Sequence, residues 1–391
     1  MAVVLFAVGM AGAQKPSIKE SFQGNIFRPA EEKVTEKLIA GLKAPRGFKV
    51  SKFAGDLEKP RMLAVAPNGD VYVTRRDPHN DVWLLRDSDG DGVAEERKQV
   101  LQMKGAHGIA IREGKLYLAA IRELGVAEMK PDGTLGELKV LYRDLPDAGQ
   151  HPNRTIAFDK NGELFLSVGS TCNACPEPNE ENATMLRVKI DGSGREIFAS
   201  GLRNTIGFDW HPTTGELWGM DHGIDWLGDD QQKEELNRIS QGKKYGWPFV
   251  FENGKRNPGD NPQEHLKVSW EEYAKQCEAP VLTHDAHSAP LALLFYNGTQ
   301  FPPGYRESAF VTLHGSWNRS QPSGYKVVRV KFSDGKAIAF EDFLTGFLVK
   351  GNQAQFGRPC GLAVAKDGSL LLSDDSGGVI YRISYADTAK K

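Results

Sequence analysis

The chain has 391 residues, 40% of them hydrophobic, with 42 glycines and 21 prolines, which allows both a large core and many tight turns. Its net charge of −2 argues against a nucleic-acid partner that is held by overall charge. No apolar run reaches the roughly 18 residues that a membrane-spanning helix needs, so no transmembrane segment is expected.

The N-terminus is apolar and rich in small residues. Ala11-Gly12-Ala13 before Gln14 fits a signal-peptidase site, so residues 1–13 are interpreted as a signal-peptide remnant. This predicts a periplasmic or secreted protein, in which the four cysteines can form two disulfides. The polar residues 14–45 are expected to be an extension that packs on the main domain, and residues 387–391 a tail.

One hairpin pattern recurs between residues 46 and 386. An apolar strand, a tight glycine turn and a second apolar strand surround Gly69, and the same order returns at Gly114, Gly162, Gly215 and Gly368, with a divergent copy at Gly298. A period of about 40–50 residues is that of a four-stranded propeller blade. The sequence therefore predicts an all-β fold, a six-bladed β-propeller with four-stranded blades over residues 46–386 and an insertion between 224 and 285. A β-sandwich with coincidental hairpins is the alternative.

Propeller topology brings the residues before each first strand and after each second strand to the same face, around the axis. Arginine and histidine are frequent there, and such planar donors suit a flat ligand with several negative charges. Structural arginines that cap blade ends are the alternative. The residues are Arg61, Arg75, Arg76, His107, Arg122, His151, Arg154, Ser170, Arg203, Asn204, Asp221, His222, His287, Ser288, His314, Arg358, Asp374 and Asp375.

Several motifs carry a family resemblance. They are Gly201-Leu202-Arg203-Asn204, Asp229-Asp230 with Glu235-Leu236-Asn237, Tyr245-Gly246-Trp247-Pro248, the loop Ser170–Cys175 and the segment His287–Leu291. The chain resembles the soluble, pyrroloquinoline-quinone-dependent (PQQ-dependent) sugar dehydrogenases, particularly the sorbosone and aldose dehydrogenase branch, over about residues 46–386. The resemblance implies a six-bladed propeller with PQQ and Ca²⁺ as cofactors. It also implies oxidation of an aldose or related sugar aldehyde at C1, and an external electron acceptor.

The resemblance also implies roles for individual residues. His151 is expected to be the general base that removes the C1 hydroxyl proton while a hydride leaves for the quinone. Arg203 is expected to polarise the quinone carbonyl. The other expected cofactor contacts are Asn204, His314, Arg319 and Arg358, the substrate contacts are His107, Arg154, Asp221 and His287, and the calcium ligands are backbone oxygens of the loop Gly246 to Pro248.

Two positions depart from the family pattern. Ser170 stands where the soluble glucose dehydrogenases have an acidic residue, and His314 stands where a lysine is usual. Both changes bear on the substrate and on the electronics of the cofactor more than on the reaction class.

Asp87, Asp89 and Asp91 have the spacing of a calcium loop. The twelfth position is Lys98 instead of glutamate, so the segment is no EF-hand, and Glu95 or Glu96 would have to supply the missing carboxylate. Either a structural Ca²⁺ site or a plain acidic turn fits this pattern.

The pair Cys172 and Cys175 is interpreted as a disulfide on the rim of the pocket. A redox-active pair would prefer a helix N-terminus, which the neighbouring Pro176 disfavours, and zinc would need two further ligands. Cys277 and Cys360 could form the second disulfide.

Two other functions are open to a propeller. A metal-dependent lactonase needs Glu, Asp and Asn ligands near the axis, where this chain has arginine and histidine. A non-catalytic, protein-binding propeller would show exposed aromatic residues on one face.

Overall fold

The structure, a computed structural model, describes residues 24–147, 149–258 and 261–386. The predicted signal-peptide remnant, the first part of the extension and the tail lie outside the described residues. Within the described part, no helix is long and apolar enough to cross a membrane.

Six four-stranded antiparallel sheets make up most of the described chain. Sheet 1 contains Pro60–Val65, Val71–Arg75, Asp81–Arg86 and Glu96–Gln102; sheet 2 contains Gly108–Arg112, Lys115–Ala119, Leu124–Glu128 and Lys139–Tyr142; sheet 3 contains Ile156–Phe158, Leu164–Val168, Thr184–Val188 and Arg195–Ser200. Sheet 4 contains Gly207–Trp210, Leu217–Asp221, Glu234–Ile239 and Leu282–His284; sheet 5 contains Pro290–Phe295, Ala309–Leu313, Lys326–Ser333 and Lys336–Leu344; sheet 6 contains Pro359–Val364, Leu370–Asp374, Val379–Tyr385 and Phe48–Ala54.

Burial falls from the inner to the outer strands of a sheet. Every residue of the second strands Val71–Arg75, Leu164–Val168 and Leu370–Asp374 is buried, which explains why these strands are nearly continuous apolar runs. The fourth strand Glu96–Gln102 is mostly exposed and mostly polar. Apolar clusters join neighbouring sheets, as where Phe165 of sheet 3 packs with Phe208 of sheet 4.

The first strands of the sheets lie next to one another. Contacts join sheet 6 to sheet 1, sheet 1 to sheet 2, sheet 2 to sheet 3, sheet 4 to sheet 5, and sheet 5 to sheet 6. Glycines permit this approach: a Cβ at Gly108, Gly207 or Gly361 would lie within 2.7 Å of the backbone of the next sheet. The arrangement is consistent with a β-propeller.

Sheet 6 joins the two ends of the domain. Phe48–Ala54 pairs antiparallel with Val379–Tyr385, so that Lys52 lies opposite Tyr381. Before it, a helix at Glu36–Ala40 is capped by Thr35, whose hydroxyl accepts a hydrogen bond from the Leu38 amide. A small three-stranded sheet contains Ala30–Glu31, Ala354–Gln355 and Leu348–Val349.

The stretch between residues 224 and 285 is more than an insertion, because it supplies the third and fourth strands of sheet 4. Between those strands it adds a two-stranded ribbon and two short helices, the second begun by a capping box of Ser269 and Glu272. The ribbon contains Val250–Phe251 and Lys255–Arg256, the helices are Pro262–Leu266 and Trp270–Ala274, and a 3₁₀ turn follows in sheet 5 at Pro303–Tyr305.

Candidate active site

Arg203 is a buried arginine whose partners are mostly neutral. It is 3% exposed; its Nε donates to the carbonyl of Asn173 at 2.9 Å, and its Nη2 donates to Asn173 Oδ1 at 2.8 Å. The nearest carboxylate, that of Asp225, lies 3.3 Å from Nη2. Burial lowers the pKa of Arg203, and Asp225 offsets this only in part. Among the described residues Nη1 has no hydrogen-bond partner, so positive charge remains available on one side of the guanidinium.

Asp221 fixes the turn that carries Arg203. One of its oxygens accepts hydrogen bonds from the amide of Asn204 at 2.7 Å and the hydroxyl of Thr205 at 2.8 Å, and the other accepts from the amide of Arg203 at 2.9 Å. Burial raises the pKa of Asp221 to about 6. The predicted substrate contact is therefore occupied with the backbone of residues 203–205.

His151 lies close to Arg203 and has one ring nitrogen fixed. Its Nδ1 is 3.0 Å from the carbonyl of Ser170 and 2.8 Å from the Ser170 hydroxyl, which favours the tautomer that carries the proton on Nδ1. Burial and the charge of Arg203 lower the pKa of His151 to about 2. Its Nε2 has no partner among the described residues and can accept a proton.

Asn204 lies beside His151, with Gly169 between them. A Cβ on Gly169 would be 2.6 Å from His151 Cβ and 3.0 Å from Asn204 Oδ1, so only glycine permits this packing. The Asn204 carboxamide has no hydrogen-bond partner within the described ranges. Arg203 Nη1, the Asn204 carboxamide and His151 Nε2 are thus three neighbouring polar groups that have no hydrogen-bond partner among the described residues.

A second buried cluster is centred on Asp375. Its Oδ2 accepts from Nη1 of Arg61 at 2.8 Å, and its Oδ1 lies 2.8 Å from Nε2 of His314. Burial alone would raise the pKa of Asp375, but His314 and Arg61 hold it well below the usual range. Asp375 thus neutralises Arg61, and Cys360 completes the cluster with its sulfur 3.3 Å from Arg61 Nη1.

Arg358 is attached to the same cluster through the backbone. Its Nε and Nη2 donate to the carbonyls of His314 at 3.1 Å and Gly315 at 2.7 Å, and its guanidinium lies 5.5 Å from the centre of the Tyr325 ring. Burial and the charge of Arg358 lower the pKa of His314 to about 4, while Asp375 opposes the shift.

Three predicted substrate residues lie deeper or further to the side. His107 is 2% exposed and donates through Nδ1 to the carbonyl of Arg154 at 3.0 Å; its Nε2 is buried with no partner in the described chain. Arg154 is fully buried and donates to the carbonyls of His151 and Pro146. His287 lies 3.2 Å from the amide nitrogen of Asn318, which donates to Asp225.

Arg319 is used by the surrounding loops. Its Nη1 donates to the carbonyls of Asp229 at 2.5 Å and Ala286 at 3.1 Å, and its Nη2 lies 3.3 Å from a carboxylate oxygen of Asp230. The structure therefore places Arg319 as a brace between two loops.

The carbonyls predicted to bind calcium already accept hydrogen bonds. The Gly246 oxygen accepts from the amides of Phe249 and Val250, both at 3.0 Å, and the Pro248 oxygen accepts from the side chain of Asn257 at 2.5 Å. An ion at these oxygens would have to use the remaining lone pairs. The calcium site at Gly246 and Pro248 stays a prediction.

The acidic loop belongs to another part of the molecule. Asp87, Asp89, Asp91 and Glu95 connect the two outer strands of sheet 1, and one ligand oxygen from each lies within 4.8 Å of the others. The sequence prediction of a calcium loop remains open, and it is separate from the site around Arg203.

One of the two expected disulfides is present. Cys172 is bonded to Cys175, whereas Cys277 and Cys360 are free thiols. The second disulfide is wrong because the two residues lie in different places. Cys277 contacts the carbonyl of Tyr273 outside sheet 4, and Cys360 is buried against Arg61.

Sequence reasoning missed Asn173 and Asp225. Asn173 was noted only as a residue between the cysteines, and Asp225 only as part of an insertion. Asp225 Oδ1 accepts from Asn318 at 2.7 Å and Oδ2 from Arg203 at 3.3 Å. The signal for Asn173 was its place between two cysteines only three positions apart, because a ring this short restricts the backbone. Asp225 had no comparable signal.

The family follows from comparison with known proteins. The sequence profile of the TrAA12-like family matches residues 42–386. The chain belongs to this family. An uncharacterized protein of Borreliella burgdorferi is 32% identical over 377 residues, 90% of this chain and 92% of the relative. A PQQ-dependent pyranose dehydrogenase of Coprinopsis cinerea is 24% identical over 86% of this chain and 54% of its own length.

Two solved structures have the same fold as this chain. The Trichoderma reesei family AA12 enzyme, in its calcium structure, has a TM-score of 0.76 and 21% identity, covering 89% of this TrAA12-like chain and 98% of the other. The PQQ domain of Coprinopsis cinerea pyranose dehydrogenase, in its holo form, has a TM-score of 0.74 and 20% identity over 92% and 100% of the two chains. The resemblance to soluble PQQ-dependent sugar dehydrogenases is confirmed at the level of the family.

Proposed function

We propose that this TrAA12-like protein is a PQQ-dependent dehydrogenase that oxidises an aldose or a related, sorbosone-like sugar aldehyde at C1. The observation that carries the proposal is the group of unmet donors and acceptors around Arg203, where Nη1 of Arg203, the Asn204 carboxamide and Nε2 of His151 have no partner in the described residues. The protein leaves these donors and acceptors available for hydrogen bonds, so this group favours a polar ligand.

The residues present fit PQQ, which is flat and carries three carboxylates. Arg203 and Arg358 each have an Nη1 that is unpaired among the described residues. Arginine binds carboxylates through two parallel hydrogen bonds, so both side chains suit the anion. Arg203, Asn204, His314 and Arg358 would hold the group, with Arg319 supporting a neighbouring loop. The bound quinone would supply the acceptor for the hydride that leaves C1.

His151 is assigned the role of general base, which accepts the proton of the C1 hydroxyl. With Nδ1 fixed by Ser170, the lone pair of Nε2 accepts the proton of the C1 hydroxyl as the C1–H bond breaks. Its lowered pKa keeps the ring neutral before the reaction, and a neutral ring is the form that can act as base. The carboxylates of a bound anion would raise that pKa toward its ordinary range.

Arg203 is assigned the charge that develops during the reaction. A buried guanidinium with little compensation stabilises a negative charge more strongly than an exposed one does, because the surroundings screen it less. The substrate residues are assigned to two roles: contact with the sugar is proposed for His287 and His107, while Arg154 and Asp221 hold the loops that carry His151 and Arg203.

Three further proposals complete this function. The six sheets close into a six-bladed propeller, which the contacts between first strands and the pairing of Phe48–Ala54 with Val379–Tyr385 support. The enzyme works in the periplasm or after secretion, which the disulfide at the site supports. Electrons then pass to an external acceptor.

The deciding experiment is an absorbance titration of the purified protein with PQQ, followed by a sugar panel with an artificial electron acceptor. We expect saturable binding and turnover of at least one aldose or sugar aldehyde. The titration is repeated after the protein has been treated with a chelator and either Ca²⁺ or Mg²⁺ has been added back. Carbonyl oxygens suit the larger ion, so Ca²⁺ should restore PQQ binding better than Mg²⁺. No binding of PQQ with either ion present would contradict the proposal.

A further inference from the structure

Asn173 makes five hydrogen bonds that join three loops of the site. Its carbonyl accepts from Arg203 Nε at 2.9 Å and from the indole Nε1 of Trp247 at 3.3 Å. Its side-chain oxygen accepts from Arg203 Nη2 and from the amide of Asp225, both at 2.8 Å, and its side-chain nitrogen donates to the carbonyl of Asp225 at 3.2 Å. Asn173 therefore joins the cysteine loop to Trp247, to Asp225 and to the guanidinium of Arg203.

These bonds determine where the Arg203 guanidinium points. Two of its five N–H groups are bound to Asn173 in a forked arrangement, and the only carboxylate within ion-pair distance in the described chain, that of Asp225, is more distant at 3.3 Å. A planar guanidinium held at two of its nitrogens has a defined orientation, whereas a single contact would leave it free to rotate.

The disulfide determines where Asn173 lies. Cys172 and Cys175 close a ring with only Asn173 and Ala174 between them, so the carbonyl and the carboxamide of Asn173 cannot move apart freely. The carbonyl of Cys172 accepts from the Ser170 hydroxyl at 2.8 Å, and the same hydroxyl lies 2.8 Å from His151 Nδ1. The disulfide ring is thus hydrogen-bonded directly to Arg203, and through the Ser170 hydroxyl to His151.

We propose that Asn173, held by the Cys172–Cys175 disulfide, is the positioning residue for Arg203, and that turnover depends on the integrity of this ring. The inference rests on the proposed role of Arg203 in turnover. Asn173 acts through Arg203 and needs no contact with the substrate. A misplacement of the order of 1 Å can cost about a hundredfold in rate, so loss of this guide should be visible in kcat.

The first test compares Asn173→Ala with Thr171→Ala. Thr171 lies in the same loop and donates to Glu177 at 2.7 Å through its hydroxyl, and in the described chain this hydroxyl makes no hydrogen bond to Arg203, Asp225 or Trp247. With PQQ in excess, we expect Asn173→Ala to lower kcat about tenfold or more with a smaller change in KM, and Thr171→Ala to stay within about twofold. Equal kcat values in the two variants would overturn the proposal.

The second test removes the disulfide in the protein without quinone. Dithiothreitol converts the bond to two thiols while it is oxidised to its own cyclic disulfide, and iodoacetamide then blocks the thiols before PQQ is added. We expect kcat to fall as in Asn173→Ala. The Cys172→Ser/Cys175→Ser double variant, treated in the same way, should start low and fall no further, which excludes an effect through Cys277 or Cys360.

The third measurement needs no activity. Trp247 donates its indole hydrogen to the carbonyl of Asn173, so its indole ¹H–¹⁵N resonance, assigned with Trp247→Phe, should shift on reduction of the protein without quinone. An unchanged resonance would show that the disulfide does not hold Asn173 in position, which overturns that part of the proposal. If Arg203→Lys turns over like the unaltered enzyme, the proposed function of Arg203 fails, whereas a normal Asn173→Ala beside an impaired Arg203→Lys defeats only the positioning role.

Discussion

Two buried arginines, Arg61 in the Asp375 cluster and Arg203 beside His151, differ in what neutralises them. Arg61 forms a 2.8 Å ion pair with Asp375, and although burial alone would lower the pKa of Arg61, this pairing raises it. Arg203 has only Asp225 at 3.3 Å, and burial lowers its pKa. The charge of Arg61 is neutralised within the protein, while the charge of Arg203 is only partly neutralised and remains available to an anionic ligand. Burial of an arginine therefore does not by itself mark a binding site; the partner does.

The largest effect is expected from the base next to Arg203. His151→Ala should lower turnover by about 10²–10⁴, because the C1 proton loses its acceptor, while PQQ binding is largely kept. On the other side, His314→Ala should alter PQQ affinity more than turnover, since Asp375 already engages its Nε2. Steady-state kinetics at saturating PQQ distinguish the two. A loss of less than threefold in His151→Ala would remove this residue from the chemistry.

The arginines themselves give the next comparison. Arg203→Lys retains charge and loses the planar fork, so turnover should fall about 10- to 100-fold even with excess PQQ. Arg358→Lys should weaken PQQ binding and recover turnover once PQQ is in excess, because its contact is equal in the ground and transition states. Both values come from kinetics at rising PQQ concentration. Recovery of Arg203→Lys by excess PQQ would mean that it only binds.

Arg61 should matter for stability instead. Arg61→Ala leaves the buried Asp375 carboxylate without its partner, which typically costs about 3–5 kcal/mol of unfolding free energy. Urea unfolding monitored by fluorescence measures this loss, with Arg76→Ala as the control, since Arg76 is half-exposed and its nitrogen lies 3.7 Å from Asp375. A stable Arg61→Ala variant that fails to bind PQQ would place Arg61 in the ligand site.

The smallest effect concerns pH, where the two sides have opposite signs. Asp375 has a folded pKa well below its ordinary value, so its stabilisation is present at neutral pH and is lost as pH falls through the folded pKa. Burial raises the pKa of Glu235, near Asp221, to about 8, so its contribution is full below the ordinary 4.5 and is lost as pH rises through 8. Glu235→Gln should therefore reduce the drop in melting temperature between pH 5 and pH 8. An unchanged drop would show that Glu235 does not titrate there.

The strands were predictable from the sequence, and the pairings of polar side chains were not. An apolar run, a glycine turn and a second run determine a hairpin locally, which is why the strands around Gly69 and Gly368 lie where the pattern put them. The ring of arginines and histidines around the axis stays a prediction from propeller topology, which brings strand ends to one face.

What the sequence could not supply are contacts between distant loops. Asn173 reaches Asp225 and Trp247 across separations of 52 and 74 residues, and neither has a local pattern. The same limit explains Cys277 and Cys360: an even cysteine count permits a disulfide, but only the fold shows that one lies outside sheet 4 and the other against Arg61.

The pairing in sheet 6 has a consequence for how the protein is made. Lys52 lies opposite Tyr381, which follows it in the sequence by 381 − 52 = 329 residues. The strands of the other five sheets come from much shorter stretches of the chain, so sheet 6 is the one whose pairing needs the most distant contacts and has to wait until Val379–Tyr385 has been synthesised. Until then the edge of Phe48–Ala54 stays unpaired, and an unpaired edge is open to other strands.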